Sequence, residues 1–276
     1  MAGRSPFTHP GARYADAMTT LHAGRRERAA RLLELHEAHE VLALVNVWDV
    51  ASATALAEVP ETRAIATASH AIAAVFGYED GEQIPVDLML DMVGRIALCT
   101  DLPVTADLEA GYGSPGETVR RAIGLGVVGA NLEDGMRPHI ESVENVASAV
   151  NAAHAEGLPS FVLNARTDAF LLRGDRPLDD TIEDAVERGR AYLDAGAACV
   201  FVPGVTEVAV IERLVQAIGE RRVSLIGHLH SPLSLEHLAS LGVARISYGP
   251  WPQRAALAAL QHAARDIHAG RPHRTP

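Results

Sequence analysis

Eight short apolar or β-branched runs recur along the chain, and a segment of helical period follows each one. The runs are "VLALVNV" (41–47), "RAIATAS" (63–69), "LPVTADLE" (102–109), "GVVGANLE" (126–133), "SFVLNART" (160–167), "ACVFVPG" (198–204), "RVSLIGHL" (222–229) and "VARISYG" (243–249). The helical segments span 50–58, 86–99, 117–124, 142–156, 179–195, 206–218, 234–241 and 251–268, and one more, roughly 22–39, precedes the first run. Ser114-Pro115 and Asp179-Asp180 supply helix start signals, and Gly157, Gly196 and Gly242 stand where helices should stop. Strand–helix alternation specifies a parallel α/β fold. The runs are apolar on both faces, as strands covered on both sides must be. Eight units in 276 residues, with no low-complexity linker, favour one closed (β/α)8 TIM barrel. An open doubly wound sheet is the alternative, but no G-x-G-x-x-G follows the first run, which leads into "NVWDVASATA". The division expected is a flexible segment 1–21 and a single catalytic barrel over 22–276. With 48% hydrophobic but only 4% aromatic residues, the core must be Ala, Val, Leu and Ile.

Composition excludes several kinds of chemistry. Net charge is −11 and no basic stripe is present, which argues against nucleic acid or an anionic membrane as a partner. No run reaches the roughly 20 apolar residues of a membrane span, and "MAGRSPFTHPGARYADAMTT" lacks a signal-peptide core. A cytoplasmic protein with two buried structural thiols, Cys99 and Cys199, is the expectation. The chain contains no lysine. Schiff-base aldolase, pyridoxal phosphate and Walker-type nucleotide sites all need that amine, so they are excluded.

Barrel active sites lie at the carboxyl ends of the strands. The first run ends at Asn46 and Asp49, and the second at Ser69-His70 with Asp80 in the following loop. The third ends at Asp107 and Glu109, the fourth at Asn131, Glu133 and Asp134, and the fifth at Asn164, Arg166 and Asp168. The seventh ends at His228 and His230, while the sixth and eighth are nearly apolar. Strand residues i and i+2 share a face. Asp107 and Glu109 are therefore expected to point together, as are Asn131 with Glu133 and Asn164 with Arg166 and Asp168. Acids from three segments, Asp80, Asp107/Glu109 and Glu133, would then converge beside one arginine. Such a group needs a cation, and oxygen ligands on rigid strand ends suit Mg2+ or Mn2+. Asp49, Asp134 and Asp168 read equally well as helix caps or loop residues.

These segments resemble the isocitrate lyase/phosphoenolpyruvate mutase superfamily from about Val41 to Ala264. The resemblance is carried by "NVWDVASA", "AIATAS" followed by "GYEDGE", "DLPVTADLEAGYG", "GVVGANLEDG", "NARTDAF", "FVPG" and "LGVARISYGP", in order and with natural spacing. It implies a (β/α)8 barrel whose last helix is exchanged between subunits of a dimer or tetramer. It implies Mg2+ held mainly by Asp107, with Glu109, Glu133 and Asp80 on metal waters or ligand. Arg166 would grip a substrate carboxylate, and the segment around Ser69-His70, with Asn164, would meet the substrate. Family chemistry makes or breaks a C–C or P–C bond beside a 2-oxo or 2-hydroxy acid, through an enolate-like oxyanion.

The departures sharpen this expectation. The loop after Glu133-Asp134 reads "GMRPHIESVEN", without the cysteine and lysines that the isocitrate and methylisocitrate lyases carry there. Arg137 or His139 is left as the loop's cation or acid. The first reading is a Mg2+-dependent lyase cleaving a C–C bond in a small 2-hydroxy or 2-oxo (di)carboxylate. A P–C bond enzyme like phosphoenolpyruvate mutase or phosphonopyruvate hydrolase is the second. The others are a zinc hydrolase built on "HLH" (228–230) and a non-catalytic barrel that keeps the metal site.

Overall fold

The structure, a computed structural model, describes residues 24–229 and 231–271; the expected N-terminal segment and His230 lie outside the described residues. Nine strands run parallel in one sheet. They are β1 (Leu42–Leu44), β2 (Asn46–Val47), β3 (Ile65–Thr67), β4 (Val104–Asp107), β5 (Gly129–Glu133), β6 (Val162–Arg166), β7 (Cys199–Phe201), β8 (Val223–Ile226) and β9 (Val243–Ser247). β1 pairs with β9 and β2 with β3. Only Val45 separates β1 from β2, so one stretch of chain joins the first and last strands and closes the (β/α)8 barrel. Asn46 laces that seam. Its Oδ1 accepts from the Tyr248 and Gly249 N–H groups at 2.8 and 2.7 Å, and its Nδ2 donates to the Thr67 carbonyl at 2.8 Å.

Nine helices among the described residues surround the sheet or follow its strands: α2 (Val50–Ala57), α3 (Ser69–Phe76), α4 (Val86–Leu98), α5 (Pro115–Gly124), α6 (His139–Ala155), α7 (Leu178–Asp194), α8 (Val208–Ile218), α9 (Leu235–Ser240) and α10 (Trp251–His268). Helices α4, α5, α7 and α8 each bury a stripe at helical spacing. In α8 the stripe is Val210, Ile211, Leu214, Val215 and Ile218. The core is dominated by Ala, Val, Leu and Ile, with few buried aromatic rings. No helix among the described residues is long and apolar enough to cross a membrane. On α10 the large side chains Leu257, Leu260 and Ile267 stand exposed. Helix α3 goes beyond the sequence expectation. "SHAIAAVF" follows β3 with only Ser69-His70 between two apolar stretches, so the change of period at Ser69 carries no separate helix signal before Gly77 stops the helix with φ 78°.

A tenth helix, α1 (Arg25–Glu37), closes the amino end of the barrel. Leu32, Leu35 and His36 are buried there. Gly129 makes the approach possible: a Cβ on it would lie 2.7 Å from Leu32 Cδ2 and 2.9 Å from the Val162 carbonyl. Arg25 and Arg26 fasten α1 by donating to carbonyls at the ends of α5 and α6, those of Ile123, Glu156 and Gly157.

His36 gives this packing a pH signature. Its Nδ1 bonds the Leu32 carbonyl at 2.8 Å, and burial first, then the positive Arg245, pull its pKa down to about 3. The unfolded chain takes up a proton near the ordinary value of 6.5, whereas the folded chain does not until far lower pH. The His36 contribution to stability is therefore full above pH 6.5 and falls as pH drops toward 3, by about 3 kcal/mol between pH 7 and 4. Because Glu133, raised to about 8, slopes the other way, the His36 contribution is read as the difference between parent and His36→Gln in urea unfolding at the two pH values: the parent should lose about 3 kcal/mol more than the variant on going from pH 7 to 4.

Candidate active site

At the carboxyl ends of the strands the chain encloses a cavity of about 380 Å3. Asp80, Asp107, Ser69, His70, Asn131 and Arg166 line one part of it. Phe201, His228, Trp251 and Arg254 line another. A larger groove of about 660 Å3 lies on the barrel's exterior, among residues of α6, α7 and α8.

Asp107 is the last residue of β4, and its backbone N–H donates to the Thr67 hydroxyl at 3.0 Å. Its Oδ2 accepts from the Ser69 N–H at 3.2 Å and the Ser69 hydroxyl at 2.8 Å. Ser69 is the first residue of α3, so the positive end of that helix holds the carboxylate. Asp80 lines the same cavity with its side chain 57% exposed, 3.7 Å from His70 Nδ1.

Glu109 does not continue the strand alternation. β4 ends at Asp107, and Glu109 takes a left-handed backbone with φ 51°. The loop carries on through Gly111 at φ 90°, Tyr112 at 53° and Gly113 at 73°. A Cβ on Gly111 would strike the Pro115 backbone at 2.7 Å, so the turn demands glycine there. The Glu109 carboxylate accepts from the Tyr112 hydroxyl at 2.7 Å and from the Glu82 N–H, and the residue is only 3% exposed. Burial outweighs those bonds and raises its pKa. Among the described residues no group of three or more His, Cys, Asp or Glu is arranged to hold a metal ion. Asp107, Glu109 and Glu133 nonetheless lie within electrostatic reach: Asp107 raises the pKa of both glutamates, and Glu109 adds to the rise at Glu133.

The alternation does hold in β5 and β6. Glu133 stands beside Arg166 across the ladder, and Arg166 Nη1 meets Glu133 Oε2 at 2.7 Å. Arg166 Nε donates to Asp168 Oδ1, also at 2.7 Å. Burial pushes Glu133 up, to about 8, against the lowering pull of Arg166. Burial alone would lower the Arg166 pKa, but Glu133, Asp168 and Asp107 outweigh it and hold the guanidinium charged. Phe201 underlies the guanidinium, 6.0 Å from its centre. The result is a planar cation fixed on two sides, with its remaining edge facing the cavity.

Other expected residues lie elsewhere. Asn164 is fully buried and lines no part of the mouth cavity, although its register partner Asn131 does. Its Nδ2 donates to Asn131 Oδ1 at 2.8 Å and Ser224 Oγ at 3.3 Å. His139 opens α6 and lines the outer groove, not the mouth cavity, so the geometry does not supply it as a loop acid. The loop before it folds down over a buried network. Asp134 accepts from Tyr192 Oη at 2.6 Å, Arg188 Nη1 at 3.2 Å, and the Met136 and Asp168 N–H groups at 2.9 and 3.0 Å. Asp134→Ala strands those donors and should cost about 3–5 kcal/mol in urea unfolding. Asp49 is a helix cap, accepting from the Ser52 N–H at 2.7 Å in a reciprocal capping box. His228 packs its ring against Trp251 at 4.9 Å, in a wall completed by Arg254, whose guanidinium lies 4.9 Å from the Trp251 ring centre. Motif reading missed Trp251 and Arg254, because they sit at the start of the last helix and outside any strand end. Asn131 was visible as a strand-end amide, but nothing in the sequence distinguished it from Asn164.

The arrangement can fix an anion. Arg166 offers a donor fork, α3 directs its N-terminus at the mouth, and Asp80 and Asp107 give two oxygen donors to one cavity. A hard divalent cation that keeps most of its waters fits such a pair better than a three-ligand zinc site.

Comparison with known proteins agrees with this architecture. The phosphoenolpyruvate phosphomutase family matches residues 32–268. An uncharacterized protein of Mycobacterium tuberculosis is 31% identical over 240 residues, covering 86% of this chain and 88% of that one. A solved structure from Burkholderia cenocepacia, provisionally assigned as a phosphonomutase, superimposes with a TM-score of 0.81 at 39% identity, covering 87% of this chain and 99% of that one. Oxaloacetate acetylhydrolase in complex with its product oxalate gives a TM-score of 0.79 at 25% identity, covering 90% of this chain and 89% of that one. The strand-end motifs, the closed barrel and these matches together make the chain an enzyme of the phosphoenolpyruvate mutase family, within the isocitrate lyase/phosphoenolpyruvate mutase superfamily.

Proposed function

We propose that the chain is a Mg2+-dependent lyase that cleaves a C–C bond in a small 2-oxo or 2-hydroxy (di)carboxylate, releasing a pyruvate- or glyoxylate-type product. One observation carries the reading: a single cavity has Asp107 and Asp80 among its lining and the braced Arg166 guanidinium beside them. Asp107 is the principal metal residue, with Asp80 contributing through water. Mg2+ (or Mn2+), when bound, supplies a Lewis acid for the C2 oxygen. Arg166 orients the adjacent carboxylate through paired N–H bonds. Ser69 fixes the direction of the Asp107 carboxylate, and the α3 N-terminus adds positive potential at the mouth, where His70 stands beside Asp80. Glu109 ties the 109–113 loop to Glu82 and shapes the acid side without binding the ion directly. Glu133, raised toward neutral pH beside Arg166, is the group proposed to hold or return a proton. Trp251, His228 and Arg254 meet the far end of the substrate. Exposed Leu257, Leu260 and Ile267 on α10 are proposed to pack against a second copy, in a dimer or tetramer.

The relative assigned as a phosphonomutase keeps P–C chemistry as a second reading. A panel of 2-hydroxy and 2-oxo diacids, oxaloacetate and phosphonopyruvate, followed by pyruvate and glyoxylate detection with and without chelator, decides between them. The expected result is chelator-sensitive release from a diacid. Phosphate release from phosphonopyruvate alone would favour the second reading.

A further inference from the structure

Beneath the cavity floor lies a guanidinium with no acid in contact. Arg245, on β9, is completely buried, and it takes part in no ion pair among the described residues. Its Nε and Nη1 meet no acceptor; its Nη2 donates to Asn131 Oδ1 at 3.1 Å. Burial lowers its pKa to about 10, which still leaves it cationic at neutral pH. Asn164 Nδ2 donates to the same Asn131 oxygen. A guanidinium has five donors and no acceptor, so the Asn131 carboxamide cannot be turned the other way without setting donor against donor. Its oxygen is held down toward the barrel interior. Its NH2 group therefore faces the opposite direction, and Asn131 lines the mouth cavity. That Nδ2 donates to no protein group among the described residues. Asn131 pairs directly with Asp107 in the neighbouring strand and stands two residues before Glu133.

We propose that Asn131 is a substrate-binding residue whose amide donates to a ligand oxygen at the cavity floor, and that Arg245 is the positioning residue that sets its orientation. This rests on the reading of the mouth cavity as the substrate site. The ligand group it fits is a carboxylate or developing oxyanion lying between the Asp107 side and Arg166. A neutral donor held by charge from below favours that oxygen without adding a cation to the cavity.

The test uses the full chain, with oxalate as the probe in the presence of Mg2+. Asn131→Asp is isosteric, keeps an acceptor toward Arg245 and removes the upward donor. It should melt at or above the parent temperature, yet bind oxalate about 30-fold more weakly or worse. Asn131→Leu separates donor loss from added charge: oxalate affinity should fall about 10-fold, and melting should drop because Arg245 loses its acceptor. Arg245→Met should weaken oxalate in the parent background but not further in the Asn131→Leu background, where a purely structural role would weaken both equally. Parental oxalate affinity in both Asn131 variants overturns the donor role. A sharp fall in the melting temperature of Asn131→Asp overturns the orientation. A parent that binds no oxalate at all overturns the substrate-site reading, and the donor role with it.

Discussion

Arg166→Met lowers turnover of the diacid substrate by about 10^3-fold and also weakens the fold. Two effects combine. The substrate loses the donor fork that orients its carboxylate. Glu133 and Asp168 also lose the cation that meets each of them at 2.7 Å. Asp168 is 5% exposed at its side chain, so it is left largely without solvent to replace that partner. Because Arg166 and Glu133 each keep about a fifth of their side-chain surface (22%), the stability loss should be moderate, about 2 kcal/mol. Arg166→Lys distinguishes the two effects. A lysine restores charge beside the acids but cannot make the parallel bonds. Urea unfolding should recover most of the lost stability in Arg166→Lys, while kcat/KM stays within about tenfold of Arg166→Met. Full activity in the lysine variant would remove the clamp from the account.

The second large effect is expected at Asp107. Asp107→Ala should eliminate chelator-sensitive turnover, a loss of about 10^3-fold or more, because the principal metal residue is gone. Its structural cost should be small. The group lies at the cavity edge and bonds only Ser69, whose N–H and hydroxyl can turn to water. A change in unfolding free energy within about 1 kcal/mol is the expectation. Glu109→Gln provides the contrast, since Glu109 serves its loop: it should leave metal dependence in place and loosen the 109–113 turn. Equal activity loss in both variants would put Glu109 back among the direct metal groups.

Much of this barrel was legible from the order of its runs. Period-two alternation correctly placed Glu133 with Asn131 and Arg166 with Asn164, because each pair lies inside a strand. Its basis stops short of Glu109, because the strand ends at Asp107 and Glu109 stands in a left-handed turn, bonded to Tyr112 and Glu82. Access to the cavity was the second blind spot. In β6 the outer residue Arg166 reaches it and Asn164 does not, whereas in β5 the inner residue Asn131 reaches it and Glu133 does not, and a face assignment cannot tell these cases apart. His139 fits the residue type expected of a loop acid, but the Asp134–Arg188–Tyr192 network pulls its loop down and leaves it on the outer groove. The wall of His228, Trp251 and Arg254 depends on the segment after β8 meeting the start of α10, which no short motif encodes. Strand-local chemistry could therefore be read directly, whereas side chains placed by loop closure or tertiary packing could not.

The central claim is that one cavity binds a divalent cation and a small 2-oxo or 2-hydroxy carboxylate together. Calorimetric titration of the wild-type chain with oxalate, in excess Mg2+ and again in excess chelator, tests it most directly. The account predicts saturable one-to-one binding with Mg2+ and a loss of at least about 100-fold in affinity with chelator. Equal oxalate affinity in the two conditions would contradict it.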